Sequence, residues 1–186
     1  MYDDLWVAID FETATNEPNS ACAVGVALID GTEFVRARSW LVQPPANEYR
    51  WYCTNVHGIT ADDTSQAPEF DEVWPEVREY VVGQRLLAHN APFDARVLGA
   101  LAERYDFDLE GAAFACTVAM SRKAFPALAN HKLSTVCSAR SIPLTHHQAE
   151  SDAIACAHVA IDCAHETGAA SIGEAIELLG LRMRSV

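Results

Sequence analysis

The sequence has no long hydrophobic run. No apolar stretch reaches the ~18 residues that a helix needs to cross a bilayer, which excludes an integral helical membrane protein. The N-terminus, MYDDLWVAIDFET, lacks both a basic leading region and a small-residue cleavage site. It reads as a strand that begins almost at once, not as a signal peptide. Basic residues are scarce: 13 Lys and Arg stand against 26 Asp and Glu, a net charge of −13 with histidine neutral. That excludes a protein that grips long duplexes through basic patches, though not one whose acids gather at a metal site. The six cysteines contain no C-x-x-C pair. Without a secretion signal they are expected to be free thiols in a reducing cytoplasm. Cys156, His158, Cys163 and His165 share one segment, but on a helix the cysteines fall on one face and the histidines nearly opposite. They cannot close a tetrahedral zinc site. Repeats and low-complexity tracts are absent as well.

What is present describes an ordinary globular chain. The 186 residues are half hydrophobic and 21% charged, enough for one domain that buries roughly 70% of its unfolded surface. A single domain over residues 1–186 is expected, with a core at about 5–168 and a capped helix at 171–179. Leu5 to Phe11, Ala21 to Ile29 and Phe34 to Val42 read as strands, the last two joined by an Asp30-Gly31 turn into an antiparallel hairpin. Residues 43–63 read as irregular. Phe70, Val73, Trp74, Val77 and Val81 mark one helix face, with Pro75 predicting a kink or a later start. Arg85 to Ala88 is a fourth strand, Phe93 to Tyr105 a helix and Ala113 to Cys116 a fifth strand. Helices follow near 118–125 and 133–140. Ser151 to His165, alanine-rich and apolar nearly all round, predicts a helix packed closely on the sheet, with Gly168 just past its end. Ser171 and Glu174 form a capping box, and Arg182 to Val186 reads as a tail. Three strands followed by strand–helix alternation predict an α/β fold: a mixed five-stranded sheet with helices on its faces.

Three elements carry chemistry. Asp10 and Glu12 lie two apart on the first strand, so their carboxylates project to one side and repel unless a cation lies between them. Asp94 follows His89-Asn90-Ala91-Pro92-Phe93, in the first turn of a helix. Asp152 opens the alanine-rich helix, with His147 in the loop before it and His146 as a neighbouring decoy. Either aspartate alone would suit helix capping. His89 is given no catalytic role.

Together these elements are similar to the DEDDh, or DnaQ-like, family of 3′→5′ exonucleases, the group that includes the bacterial DNA polymerase III epsilon subunit and RNase T. The matching motifs are D-x-E at Asp10 and Glu12, the motif around Asp94, H-x4-D at His147 and Asp152, and H-G-I-T at His57-Gly58-Ile59-Thr60. They span residues 5–165 in the family's order. Gln148 stands where a tyrosine would mark the sister subfamily. The resemblance implies a ribonuclease H-like fold. It implies two Mg²⁺ or Mn²⁺ ions held by Asp10, Glu12, Asp94 and Asp152, with His147 as general base. Four hard oxygen donors suit those ions. It also implies that Phe11, Thr13, His57, Ile59 and Phe93 line the pocket for the 3′-terminal nucleotide. The expected partner is a single-stranded or frayed 3′ end, DNA favoured over RNA, with 5′-mononucleotides released and no membrane involved. RNA trimming by the same chemistry and a non-catalytic binding module are the alternatives. Little follows the last helix, unlike the long-tailed epsilon subunit, so a stable polymerase partnership is not expected; a homodimer is left open. Tyr49, Trp51 and Tyr52 would either stack on unpaired bases or pack their loop. Arg122, Lys123, Lys132 and Arg140 would either touch a phosphate or face solvent.

Overall fold

The computed structural model describes residues 4–186. Its centre is β1 (Leu5–Thr13), which pairs antiparallel with β2 (Ala21–Asp30) on one side and parallel with β4 (Arg85–Ala88) on the other. The hairpin partner β3 (Glu33–Leu41) forms one edge. Gly31, at φ 62° in the turn, takes the left-handed conformation that a tight hairpin requires. Beyond β4 lie β5 (Ala113–Cys116) and a two-residue β6 (Arg184–Ser185), so the sheet order is β3-β2-β1-β4-β5-β6. Six strands stand where five are expected. The segment read as a tail closes the far edge by pairing Ser185 with Ala113 and Arg184 with Phe114. Two residues are too few to show the alternation by which a strand is recognised.

The period of two along β1 divides the molecule. Trp6 and Ala8 join a core that includes the helices α4 (Thr117–Ala124), α5 (Leu133–Arg140), α6 (Ala149–Thr167) and α7 (Ile172–Leu178). Val7, Ile9 and Phe11 join a second core against α2 (Phe70–Val81) and α3 (Ala91–Tyr105). Asp10 and Glu12 continue the Trp6–Ala8 row, so they face α6. The fit of α6 to the sheet depends on one glycine. Gly25 of β2 is the register partner of Asp10, and a Cβ built on it would lie 2.1 Å from the Ala149 carbonyl oxygen. No side chain fits between that strand and the first turn of α6.

Two local expectations change. Residues 43–63 contain a 3₁₀ turn at Pro45–Asn47 and α1 (Trp51–His57), a helix with no side-chain cap and no fully buried residue. Neither the start signals nor the apolar periodicity that reveal a helix is present there. The helix α2 runs through Pro75 without interruption, behind a capping box in which the Glu69 N–H donates to Glu72 Oε2 at 2.9 Å. Pro75 lies on the exposed side, where the Asp71 carbonyl left without its helical partner can bond to water. The capping box at Ser171 does form: Ser171 Oγ accepts from Glu174 N, and Glu174 Oε2 accepts from Ala170 N.

Candidate active site

Four segments converge at the end of β1 that carries Asp10 and Glu12. β1 brings those two carboxylates and then shifts register between Glu12 and Thr13. β4 ends at Ala88, and Asn90, at φ 85°, turns the chain into α3. That turn puts Asp94 in the first helical turn, 2% exposed, where its Oδ1 accepts from the Phe11 N–H at 3.1 Å. α6 supplies Asp152, 3% exposed. Carboxylate oxygens of Asp10, Glu12 and Asp152 all lie within 4.8 Å of one another. Asp94 is held against the same strand by the Phe11 backbone.

These acids are in an unfavourable state by themselves. Burial, then the charges of Asp94, Glu12 and Asp152, push the Asp10 carboxyl well above the ordinary carboxylate range. Burial and Asp152 raise Glu12 to about 7. Burial raises Asp94 to about 8 against the lowering effect of the backbone N–H donors. Asp10 Oδ2 is shut off from solvent and has no hydrogen-bond partner. Buried acceptors are normally satisfied. Three clustered carboxylates, a fourth beside them and an orphaned oxygen fit a site for hard divalent cations.

The histidine loop differs in detail from expectation. His147 stands outside α6 at φ 66°, and its backbone N–H donates to Asp152 Oδ2 at 2.8 Å. The ring that meets Asp152 belongs to His146, whose Nδ1 lies 3.1 and 3.2 Å from the two carboxylate oxygens. The two imidazoles stack with centroids 3.8 Å apart. Burial and the neighbouring His146 lower the His147 pKa, with Asp152 opposing them, which keeps the ring neutral near pH 7. Adjacent histidines in sequence gave no indication of which one would touch the aspartate.

The expected pocket residues separate into two groups. His57 Nδ1 accepts from Ile59 N at 3.0 Å, so its Nε2 carries the proton and donates to the Thr13 carbonyl at 3.2 Å. This fastens His57 and Ile59 to the end of β1, helped by Gly58 in the left-handed region. Thr13 and Phe93 line one pocket together; Phe93 is 42% exposed. Phe11 departs from expectation as a pocket residue. Its side chain points to the opposite face of the sheet, 2% exposed, with its ring 6.2 Å from that of Phe70. Only its backbone faces the acids, through Asp94.

Several other residues are resolved by their contacts. His89 bonds Thr117 Oγ1 and the His131 carbonyl, both at 2.9 Å, and burial lowers its pKa to about 4; it is a satisfied structural histidine. Of the four cations before the third motif, Lys123 bonds the Leu179 carbonyl and Arg140 pairs with Asp162 and Glu166. Arg96, which sequence reading passed over, lines the Phe93 pocket. Gly25 was also missed. Its position inside the apolar run ACAVGVALI was the available signal of close approach.

Comparison with known proteins agrees with this geometry. The family model described as Exonuclease, of the RNase T type, matches residues 7–160. A DNA polymerase III PolC-type from Oceanobacillus iheyensis is 31% identical over 157 residues, covering 82% of this chain and 11% of that protein. Its counterpart from Caldanaerobacter subterraneus is 29% identical over 177 residues, covering 91% and 12%. The chain thus spans about a tenth of the length of these relatives. Among solved structures, Exonuclease X in complex with 5′ overhanging duplex DNA superimposes with TM-score 0.74 at 21% identity, covering 94% of this chain and 99% of that one. E. coli Exonuclease I in complex with a dA16 oligonucleotide gives 0.79 at 14%, covering 96% and 42%. A 3′-exonuclease that recognises a histone mRNA stem-loop gives 0.73 at 18%, covering 89% and 84%.

Proposed function

The chain belongs to the DnaQ-like exonuclease family, and we propose that it is a DEDDh-type 3′→5′ exonuclease that removes 5′-mononucleotides from single-stranded or frayed 3′ ends. The observation that carries this reading is the convergence of Asp10, Glu12 and Asp152 within 4.8 Å of one another, with Asp94 anchored beside them. Their mutual repulsion and the unpartnered Asp10 oxygen suit a pair of divalent cations. Two Mg²⁺ or Mn²⁺ ions, when bound there, would supply the positive charge that steadies the entering and leaving oxygens of an in-line displacement.

The remaining roles belong to the protein. Asp10, Glu12, Asp94 and Asp152 hold the cations. His147, neutral near pH 7 and on a loop free of the helix, takes the proton of the attacking water. Thr13, His57, Ile59 and Phe93 orient the terminal nucleotide. His57 acts through its bond to the Thr13 carbonyl, which ties the H-G-I-T segment to the catalytic strand. DNA is favoured because the relatives aligned over most of this chain bear the name of a DNA polymerase. RNA is the second reading, favoured by the fold likeness to an exonuclease acting on a histone mRNA stem-loop.

Purified protein with Mg²⁺ should be given single-stranded DNA and RNA oligomers of one sequence, with products separated by chromatography. Release of 5′-mononucleotides in order from the 3′ end, faster from DNA, is expected. Internal cleavage or 5′-end release would overturn the exonuclease reading, and faster RNA digestion would replace the substrate.

A further inference from the structure

The surface beside Thr13 continues further than the family motifs do. Thr13, Cys53, Phe93 and Arg96 line a pocket of about 130 Å³ next to the acids. Thr15, Asn16 and Glu17 wall its outer side. The same three residues wall a second pocket of about 460 Å³, which Glu48, Arg50, Trp51 and Tyr52 complete. The two pockets are therefore one groove that leads away from Glu12. The inner one is smaller than the ~300 Å³ of an ordinary small-molecule site. A nucleotide whose phosphate lies at the carboxylates overfills it and must extend into the outer one.

The outer pocket is built for a flat, uncharged group. Trp51 is 79% exposed, more than any other large hydrophobic side chain among the described residues. Its ring meets Tyr52 edge to face, centroids 5.8 Å apart at 78°, which makes a rigid aromatic corner. Tyr49 differs: its hydroxyl is bonded to Thr64 Oγ1 and its ring packs edge-on to His57, so it serves the loop. In a chain with 26 acids, residues 49–61 hold none and carry one arginine. An anionic strand approaches that wall without repulsion. Glu17 and Glu48 disfavour a phosphate inside the outer pocket itself, which leaves it to the base.

We propose that Trp51, supported by Tyr52, is a stacking subsite for the base of the substrate's 3′-terminal nucleotide, and that it sets a preference for purines at that end. This rests on the exonuclease reading. Purines offer the larger aromatic face, and stacking of a base on an aromatic side chain tolerates any sequence while favouring the larger ring.

The test uses single-stranded oligomers that end in adenosine, in cytidine, or in an abasic residue, with the wild type, Trp51→Ala and Trp51→Phe. The wild type is expected to prefer the adenosine end. Trp51→Ala should lower kcat/KM on that end about tenfold through KM, leave the abasic end nearly unchanged, and be largely rescued in Trp51→Phe. Equal losses on all three ends would mark Trp51 as structural and overturn the proposal, as would no loss at all. Binding of adenosine 5′-monophosphate with Ca²⁺, read by tryptophan fluorescence, gives a readout independent of cleavage. Quenching that disappears in Trp51→Phe supports the subsite; quenching that is absent from the wild type, or unchanged in Trp51→Phe, refutes it. If the wild type digests no oligomer, the exonuclease reading fails while this binding result still decides the subsite.

Discussion

At the scale of single residues, the site is a cluster of acids folded against their own repulsion. Glu12 at about 7 and Asp94 at about 8 bind protons more tightly folded than unfolded. Their contribution to stability is therefore full below the ordinary carboxylate range and is lost as pH rises through those values. His57, His89 and His147 are shifted downward and act in the opposite sense, but only below their ordinary value of 6.5. Between pH 6.5 and about 8.5 the carboxylates dominate. A carboxyl that holds its proton tenfold more tightly in the folded chain than in the unfolded one contributes about 1.4 kcal/mol, and a chain this size moves by about 2–4 °C per kcal/mol. Calorimetric scans of chelated protein should show Tm falling by several degrees across that interval, with Mg²⁺ restoring it at the upper end. Asp10→Asn, which removes the most frustrated charge, should raise the chelated Tm, remove the response to Mg²⁺ and abolish activity. The two histidines separate in kinetics. His147→Ala is expected to lower kcat about 10²–10⁴-fold, the usual worth of a general base. His146→Ala, which loses only the contact with Asp152, should cost far less.

At the scale of elements, the approach of α6 to β2 places the third motif. The alanines of α6 and the missing side chain at Gly25 let its first turn reach the strand opposite Asp10. Gly25→Ala forces a Cβ against backbone, which cannot rotate away. Overpacking of this kind costs about 1–3 kcal/mol. Moving Asp152 away from Asp10 should cost activity beyond that stability loss, so urea melts and kcat at a temperature well below the melt should both fall. The elements also show what a sequence discloses. The period of two in β1, the hairpin at Gly31 and the alanine-rich α6 are legible because one physical pattern specifies each. α1 is not legible, since it buries no residue fully and lacks a cap. Nor is β6, too short to show alternation. Asp10, Glu12, Asp94, His147 and Asp152 were legible through their spacing. The side of the sheet that Phe11 would take follows from the same alternation that puts Asp10 and Glu12 together, yet motif reading alone assigned it to the pocket. The contact of His146 with Asp152 depends on backbone dihedrals at His147 that no residue pattern encodes.

At the scale of the whole molecule, charge is distributed unevenly. Residues 111–149 contain no acid, while the chain as a whole carries −13. Two cations of that stretch are tied down within the fold by Leu179, Asp162 and Glu166. Few free cations remain to contact phosphates, so the protein should bind only a short segment of strand, with a shallow dependence of affinity on salt. Among the described residues no helix is long and apolar enough to cross a membrane. The account's central claim is that the four carboxylates form a divalent-cation site. Calorimetric titration of Mn²⁺ into chelated protein at pH 7, repeated in buffers of different ionisation enthalpy, tests it directly. Saturable binding with release of protons is expected, because Glu12 and Asp94 must give up protons they hold near that pH, and Asp152→Asn should weaken it sharply. Absence of saturable binding, or binding unchanged in Asp152→Asn, would contradict the account.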